Sequence, residues 1–435
     1  MFSLDTPLVT EVTLQSFGID ASFSSDGQLI VVVSTSGISH LVDLKGSCQA
    51  ELKAYKVRNE PYVHSHSFLT ANFSPDGRSI ITGLTDGTAR LWDLNGNELL
   101  VLKGHQGDVV HAGFASQGSR IVTSSLDGTV RLWDLNGNQL TIVREPHQHF
   151  SQNDGQFDGY FIRHLTPQVS FSSDNQLIVF CPDEESQEPA ELWDINGNKR
   201  TTFQVKQEEV IRPTVFSPSS QTIATNCTDG TVRLWSLEGT VLKTFPNVKA
   251  SRLSFSPDGK ILAIASAYGN MTLWDIESGH KLKEREKVHD FLNISALSFS
   301  PNGQLILTAG FNDGTVKLWD LNLNEVSRLH RGANLIPDLS ERVTDSGQIA
   351  CAKFSPDGKY IVALSRQALS SPGYLMLWQV DLKSPNAQQK SSSRTADSAF
   401  QEVLVQAKRL PLSQRLRLIR EVTHSVEQEL NPSAN

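Results

Sequence analysis

Cysteine is scarce in this chain: Cys48, Cys181, Cys227 and Cys351 stand far apart, and none belongs to a CxxC pair. That spacing argues against a zinc knuckle and against a disulfide framework, so free thiols in a reducing compartment are expected. Long apolar runs are also missing. No stretch approaches the roughly 20 residues that a membrane-spanning helix needs. The opening residues, MFSLDTPLVTEV, have neither the basic segment nor the apolar segment of a secretory leader. A soluble, cytoplasmic protein without membrane insertion is the expectation. An excess of positive charge is lacking too, with 39 Lys and Arg against 47 Asp and Glu and a formal net charge of -8. A body of that charge is not built to coat a phosphate backbone, which disfavours nucleic acid as its partner. P-loop, GxGxxG and HExxH signatures are absent, and no cofactor is expected.

What the chain has instead is repetition. The stretch 104–134, GHQGDVVHAGFASQGSRIVTSSLDGTVRLWD, is the clearest copy of a unit that recurs along the chain. Apolar and β-branched residues predict strands over 109–114, 120–124 and 129–133, with a fourth over 139–143. Turn residues separate them: 116–118, Asp127-Gly128 and Asn136-Gly137. An Asn-Gly pair between strands predicts a two-residue type I′ hairpin, in which both central residues take positive φ.

Each unit carries two markers. A Phe followed by a Ser-Pro-Asp-Gly type turn ends the first strand at Phe23, Phe73, Phe114, Phe171, Phe216, Phe255, Phe299 and Phe354. A Trp ends the third strand at Trp92, Trp133, Trp193, Trp235, Trp274, Trp319 and Trp378, which uses all 7 tryptophans, while the first unit has Val42 in that place. Units of four strands with Gly-His near the start and Trp-Asp near the end, repeating at about 40–45 residues, resemble the WD-repeat (Trp-Asp repeat) β-propeller family, as a bacterial-type repeat protein. The resemblance implies an all-β, eight-bladed propeller over 1–381, closed by an N-terminal strand at 7–12 that completes the last blade. It also implies a buried structural tetrad of indole, hydroxyl, imidazole and carboxylate in each well-kept blade. The positions that match are His64, Thr82, Asp86 and Trp92; His105, Thr123, Asp127 and Trp133; and His289, Thr308, Asp313 and Trp319. Blade five keeps Thr225, Asp229 and Trp235 but has Gln207 at the imidazole position. Blades one, four, six and eight depart further and should be held more by packing than by this polar line.

Thr123, His105 and Asp127 also contain the residue types of a nucleophile-base-acid triad. Because the set recurs in other blades and ends on an indole donor, the structural role is preferred and no catalytic residue is assigned. His147 and His149, with Asp154, Asp158 or His164 nearby, could offer metal ligands, but loop histidines are usually solvated and no metal site is assigned.

Insertions fall at 53–61, 144–162, 182–189, 329–344 and 367–373, all in fourth-to-first or second-to-third connections. In a propeller these two classes leave the same face, and insertions confined to one face of a repeat protein commonly mark its binding surface. Phe150, Phe157, Tyr160 and Phe161 in one insertion, with Glu184 and Glu185 in another, would give aromatic anchors beside an acidic rim. Beyond the propeller, composition predicts a flexible linker over 382–397 and a short α-helical appendage, an amphipathic hairpin over 398–430. That hairpin is locally basic, with Arg415 and Arg417 as candidate contacts. The function expected is a non-enzymatic scaffold or adaptor, a monomer within larger assemblies, binding protein or peptide partners. The alternatives are a nucleic-acid-associated or regulatory adaptor working through the basic tail and, last, a propeller hydrolase.

Overall fold

The computed structural model describes residues 6–14, 18–34, 37–54, 68–115, 118–144, 168–174, 176–181, 189–203, 211–246, 248–289, 294–329, 348–366 and 373–380. Their strands form eight antiparallel sheets of four strands each, and seven of the sheets are built in simple chain order. The eighth takes Gln348–Phe354, Tyr360–Arg366 and Tyr374–Gln379 and is completed by Leu8–Thr13, which pairs antiparallel with Tyr374–Gln379. First strands of successive sheets touch one another all the way round, and Gln348–Phe354 returns to Gly18–Phe23. The molecule is therefore a closed eight-bladed propeller.

Strand burial follows from this ring. Second and third strands are packed on both faces, so Arg120–Ser125 and Ile261–Ser266 are buried at every residue but the first. Fourth strands lie at the rim, and Lys281–Arg285 is exposed throughout. Each of the eight apolar clusters is drawn from two neighbouring blades, so the core lies between sheets and not within them. Every Trp faces the blade before its own: Trp92, Trp133, Trp193, Trp235, Trp274, Trp319 and Trp378 seal seven interfaces. Val42 occupies the eighth, between blades eight and one, beside Val32, Phe23, Val362 and Leu377.

The described first-to-second turns brace themselves, and that of blade four also bonds its neighbour, Ser173 Oγ donating to Pro218 C=O of blade five at 2.6 Å. In blade one the Ser24 hydroxyl donates to Asp26 at 2.6 Å and accepts from Leu29 N–H at 2.9 Å, while Gly27 N–H closes onto Ser24 C=O at 2.9 Å. Ser74, Ser256 and Ser355 repeat the arrangement. The third-to-fourth turns correct the expected type I′ hairpin. Of Asn136 and Gly137 only Gly137 has positive φ, at 89°. Gly137 N–H bonds Asp134 C=O at 3.2 Å, the Asp134 carboxylate accepts from the N–H of Asn136 and Asn138 at 2.9 and 2.8 Å, and the register slips between Leu132 and Trp133. This is an Asp-braced turn followed by a glycine bulge. With the carboxylate bracing Asn136, which keeps a negative φ, a single left-handed residue suffices.

Candidate functional site

Among the described residues, two blades carry a complete polar line. In blade three Trp133 Nε1 donates to Thr123 Oγ1 at 2.8 Å, Thr123 Oγ1 lies 2.7 Å from His105 Nε2, and His105 Nδ1 lies 3.0 Å from Asp127 Oδ2. Blade seven repeats it with Trp319 to Thr308 at 2.9 Å, Thr308 to His289 Nε2 at 2.9 Å and His289 Nδ1 to Asp313 at 2.7 Å. An indole only donates and a carboxylate only accepts. The indole N–H therefore donates to the hydroxyl, and His Nδ1 is the donor that faces the carboxylate. Burial raises the Asp127 carboxyl, but the bond and charge of His105, with Thr129 and Gln106 N–H, more than offset it and leave the group well below its usual range. For Asp313 the same balance of burial against His289 and Thr315 ends at about 2.

This geometry also disposes of the triad reading. Thr123 and Thr308 have no exposed surface, and each oxygen already accepts an indole N–H. No carbonyl can reach it.

Blade two keeps the Trp92 to Thr82 bond at 2.9 Å, and Asp86 pairs with Arg90 at 2.8 Å; His64 lies outside the described residues. Blade five keeps Trp235 to Thr225 at 2.8 Å, with Asp229 bonded to Arg233 and Gln207 outside the described residues. In blades four and six, where the second-strand hydroxyl is lost, the indole finds another partner. Phe180 stands at that place in blade four, and Trp193 donates to Glu191 at 3.1 Å; Ile264 stands there in blade six, and Trp274 donates to Thr272 at 2.9 Å. Both new partners lie two residues before their Trp. In the blades that keep the hydroxyl the same place holds Arg90, Arg131, Arg233 or Lys317. This exchange of a base for Glu or Thr in step with a lost hydroxyl was visible in the repeats, and only the bond reveals its purpose.

The first strands line the inside of the ring. Their half-buried residues reach across to the next blade: Lys353 Nζ meets Asp20 at 2.9 Å, Asn72 Nδ2 donates to Ala112 C=O at 2.8 Å, and Arg252 Nε donates to Ser295 C=O at 3.2 Å. His111 stacks at 5.6 Å on Phe171 of the following blade.

The candidate contacts Phe150, Phe157, Tyr160, Phe161, Glu184, Glu185, Arg415 and Arg417 lie outside the described residues, as do His147, His149 and the proposed helical hairpin. Among the described residues no group of three or more His, Cys, Asp or Glu side chains could hold a metal ion, and no helix is long and apolar enough to cross a membrane. All four cysteines are free thiols, Cys48 exposed and the others buried.

Eight radial sheets around an axis define the class, a β-propeller. The family model described as WD domain, G-beta repeat matches residues 55–93, 96–134, 210–236, 239–275 and 282–320. The chain thus has the fold of a WD-repeat β-propeller, with matched repeats in blades two, three, five, six and seven. Among curated proteins it is similar to the guanine nucleotide-binding protein subunit beta of Oryza sativa subsp. japonica, 25% identical over 201 residues that cover 41% of this chain and 50% of that protein. It is also similar to transcription initiation factor TFIID subunit 5 of Caenorhabditis elegans, 26% identical over 194 residues, 44% of this chain and 27% of that protein. The matches span half or less of these relatives' length. Among solved structures the C-terminal WD40 domain of Sif2 superposes with a TM-score of 0.66 at 17% identity, covering 86% of this chain and 99% of that one.

Proposed function

We propose that this chain is a non-enzymatic scaffold or adaptor that binds protein or peptide partners on one face of its propeller. The observation that supports this reading is the distribution of the connections. First-to-second and third-to-fourth links leave one face, and those described are tight, self-bonded turns. The stretches 55–67, 145–167, 182–188, 330–347 and 367–372 all belong to links that leave the other face. Length concentrated on one face of a rigid ring is where a repeat protein places recognition. Phe150, Phe157, Tyr160, Phe161, Glu184 and Glu185 are the contacts assigned to it, with Arg415 and Arg417 as a second, basic element. Both relatives above are by name subunits of larger assemblies, which suits a monomer acting inside a complex. A cytoplasmic place belongs to the same reading. So does the bacterial type, to which those relatives, both eukaryotic, lend no support.

Affinity capture tests this with the intact chain, a variant lacking 148–160 and a truncation after Lys383. Partners lost with the 148–160 deletion and kept by the truncation support the proposal. Partners kept by both variants sink it. Partners lost only on truncation move the binding role to the tail.

A further inference from the structure

The opposite face, whose described connections are tight turns, holds a cavity of about 270 Å³ where the first strands of blades one to four end. We propose that it is a binding site for a neutral, hydroxyl-bearing aromatic side chain, a tyrosine presented by a protein partner. Three observations carry this.

The first is Gly113. One residue before the terminal Phe, the other seven blades have Ser22, Asn72, Ser170, Val215, Ser254, Ser298 and Lys353. Gly113 has no positive φ, so the backbone does not demand glycine there. A Cβ at Gly113 would stand 3.3 Å from His111 Nε2 and 3.7 Å from Phe171 Cε2. The missing side chain opens the cavity and clears the way to the imidazole. Glycine within a strand otherwise weakens it and commonly marks a close approach.

The second is His111 itself. Its Nε2 is buried and has no hydrogen-bond partner among the described residues. Burial holds the imidazole down to about 4, with Asp20 opposing and Lys353 assisting, so at neutral pH the ring carries no charge. Those two groups are already paired with each other at 2.9 Å.

The third is the wall, where Phe73, Phe114 and Phe171 face Ser22 and Asn72 around the same space. Phenylalanine rings beside a neutral imidazole penalise a charged ligand by desolvation. A purely aliphatic or phenyl ligand would fill the space and leave Nε2 unpaired, which is the larger loss. A phenol meets both demands, with its ring against the phenylalanines in an offset or edge-on packing and its hydroxyl on Nε2. The site lies on the face that the scaffold reading does not use, so either can fail alone.

The test is a titration of the full chain, labelled with ¹⁵N and with ¹³C-histidine, by N-acetyltyrosinamide and by N-acetylphenylalaninamide, followed by NMR. The tyrosine amide should shift the Gly113 amide and the His111 ring saturably, and the phenylalanine amide should bind about tenfold more weakly. Gly113→Val should abolish the shifts with an unchanged melting temperature. Should that variant fold poorly, His111→Phe should make the two amides bind alike. Absence of saturable shifts, equal affinity for both amides in the native chain, or full retention of binding in a folded Gly113→Val would overturn the proposal and leave ordered water as the cavity's occupant.

Discussion

A single hydroxyl oxygen decides the fate of two neighbours in the complete polar lines. Thr123 accepts from Trp133 and also bonds His105, with no exposed surface of its own. Thr123→Val keeps the shape and strands both partners, so it should lower stability by about 2–3 kcal/mol, read as a shift in the urea midpoint. Blade one shows the other solution to the same problem: Val32 and Val42 stand at the hydroxyl and indole positions and pack together, so neither position calls for a polar partner. Acid acts on these lines through their carboxylates. The Asp313 carboxyl is depressed from 3.8 to about 2 in the folded chain. The unfolded chain therefore takes up that proton first, and stability present above pH 3.8 is lost as pH falls towards 2, by about 2 kcal/mol. His111 acts at a higher pH. Its folded value of about 4 against 6.5 unfolded means that the native state refuses a proton the unfolded chain accepts, so stability declines as pH falls from 6.5 towards 4. His111→Phe should flatten that part of the stability profile, and pH-dependent urea titrations would show it unchanged if the histidine were not held neutral.

At the scale of strands and turns, the third strands of blades four and six re-bond their own indoles. Thr272 lies outside the tetrad column, yet Thr272→Val should cost about 1–2 kcal/mol because it frees a buried indole N–H, whereas a surface Thr such as Thr240 should be neutral within about 0.5 kcal/mol. Equal urea midpoints for the two variants would refute this. The strand Leu8–Thr13 does two things at once. It covers the edge of Tyr374–Gln379 in blade eight, and the Thr10 hydroxyl donates to Lys45 C=O in blade one at 3.2 Å. Leu8 and Val12 join the clusters on either side of blade eight. Removing residues 1–12 should therefore cost on the order of 3 kcal/mol or more and expose an open edge to self-association. Calorimetry and light scattering report the two effects separately.

For the ring as a whole, the seam between blades eight and one is the interface without a tryptophan. A valine buries far less area than an indole, and the seam adds the Lys353–Asp20 pair and the N-terminal strand. Hydrogen exchange after deletion of 1–12 should rise first in Tyr374–Gln379 and Gly18–Phe23 and only later in blades three to six. Uniform exchange round the ring would show that the seam is not the weak point. The two faces divide as cleanly as the interfaces do. One is bounded, among the described residues, by tight turns, and the other takes every long connection.

Much of this was already present in the sequence, because a repeat states its own rules eight times. Phe at the end of each first strand, Trp at the end of each third, and alternating apolar residues between turn clusters specify the blade. Eight such units specify the count, and the unpaired third strand at 374–379 calls for the strand near the N-terminus. Those features are local, with periods of two residues and spacings of one blade, and a sequence displays local order directly. Tertiary structure alone decided what lies between blades. It re-bonded Trp193 to Glu191 and Trp274 to Thr272, made the Asn136-Gly137 turn a braced bulge, placed each Trp against the preceding blade, and joined His111 to Phe171 over the gap left by Gly113. The last two are set by how twisted sheets meet across an interface, whereas the first two turn on side-chain rotamers and backbone angles within one strand or turn. No spacing along a single chain encodes that distance.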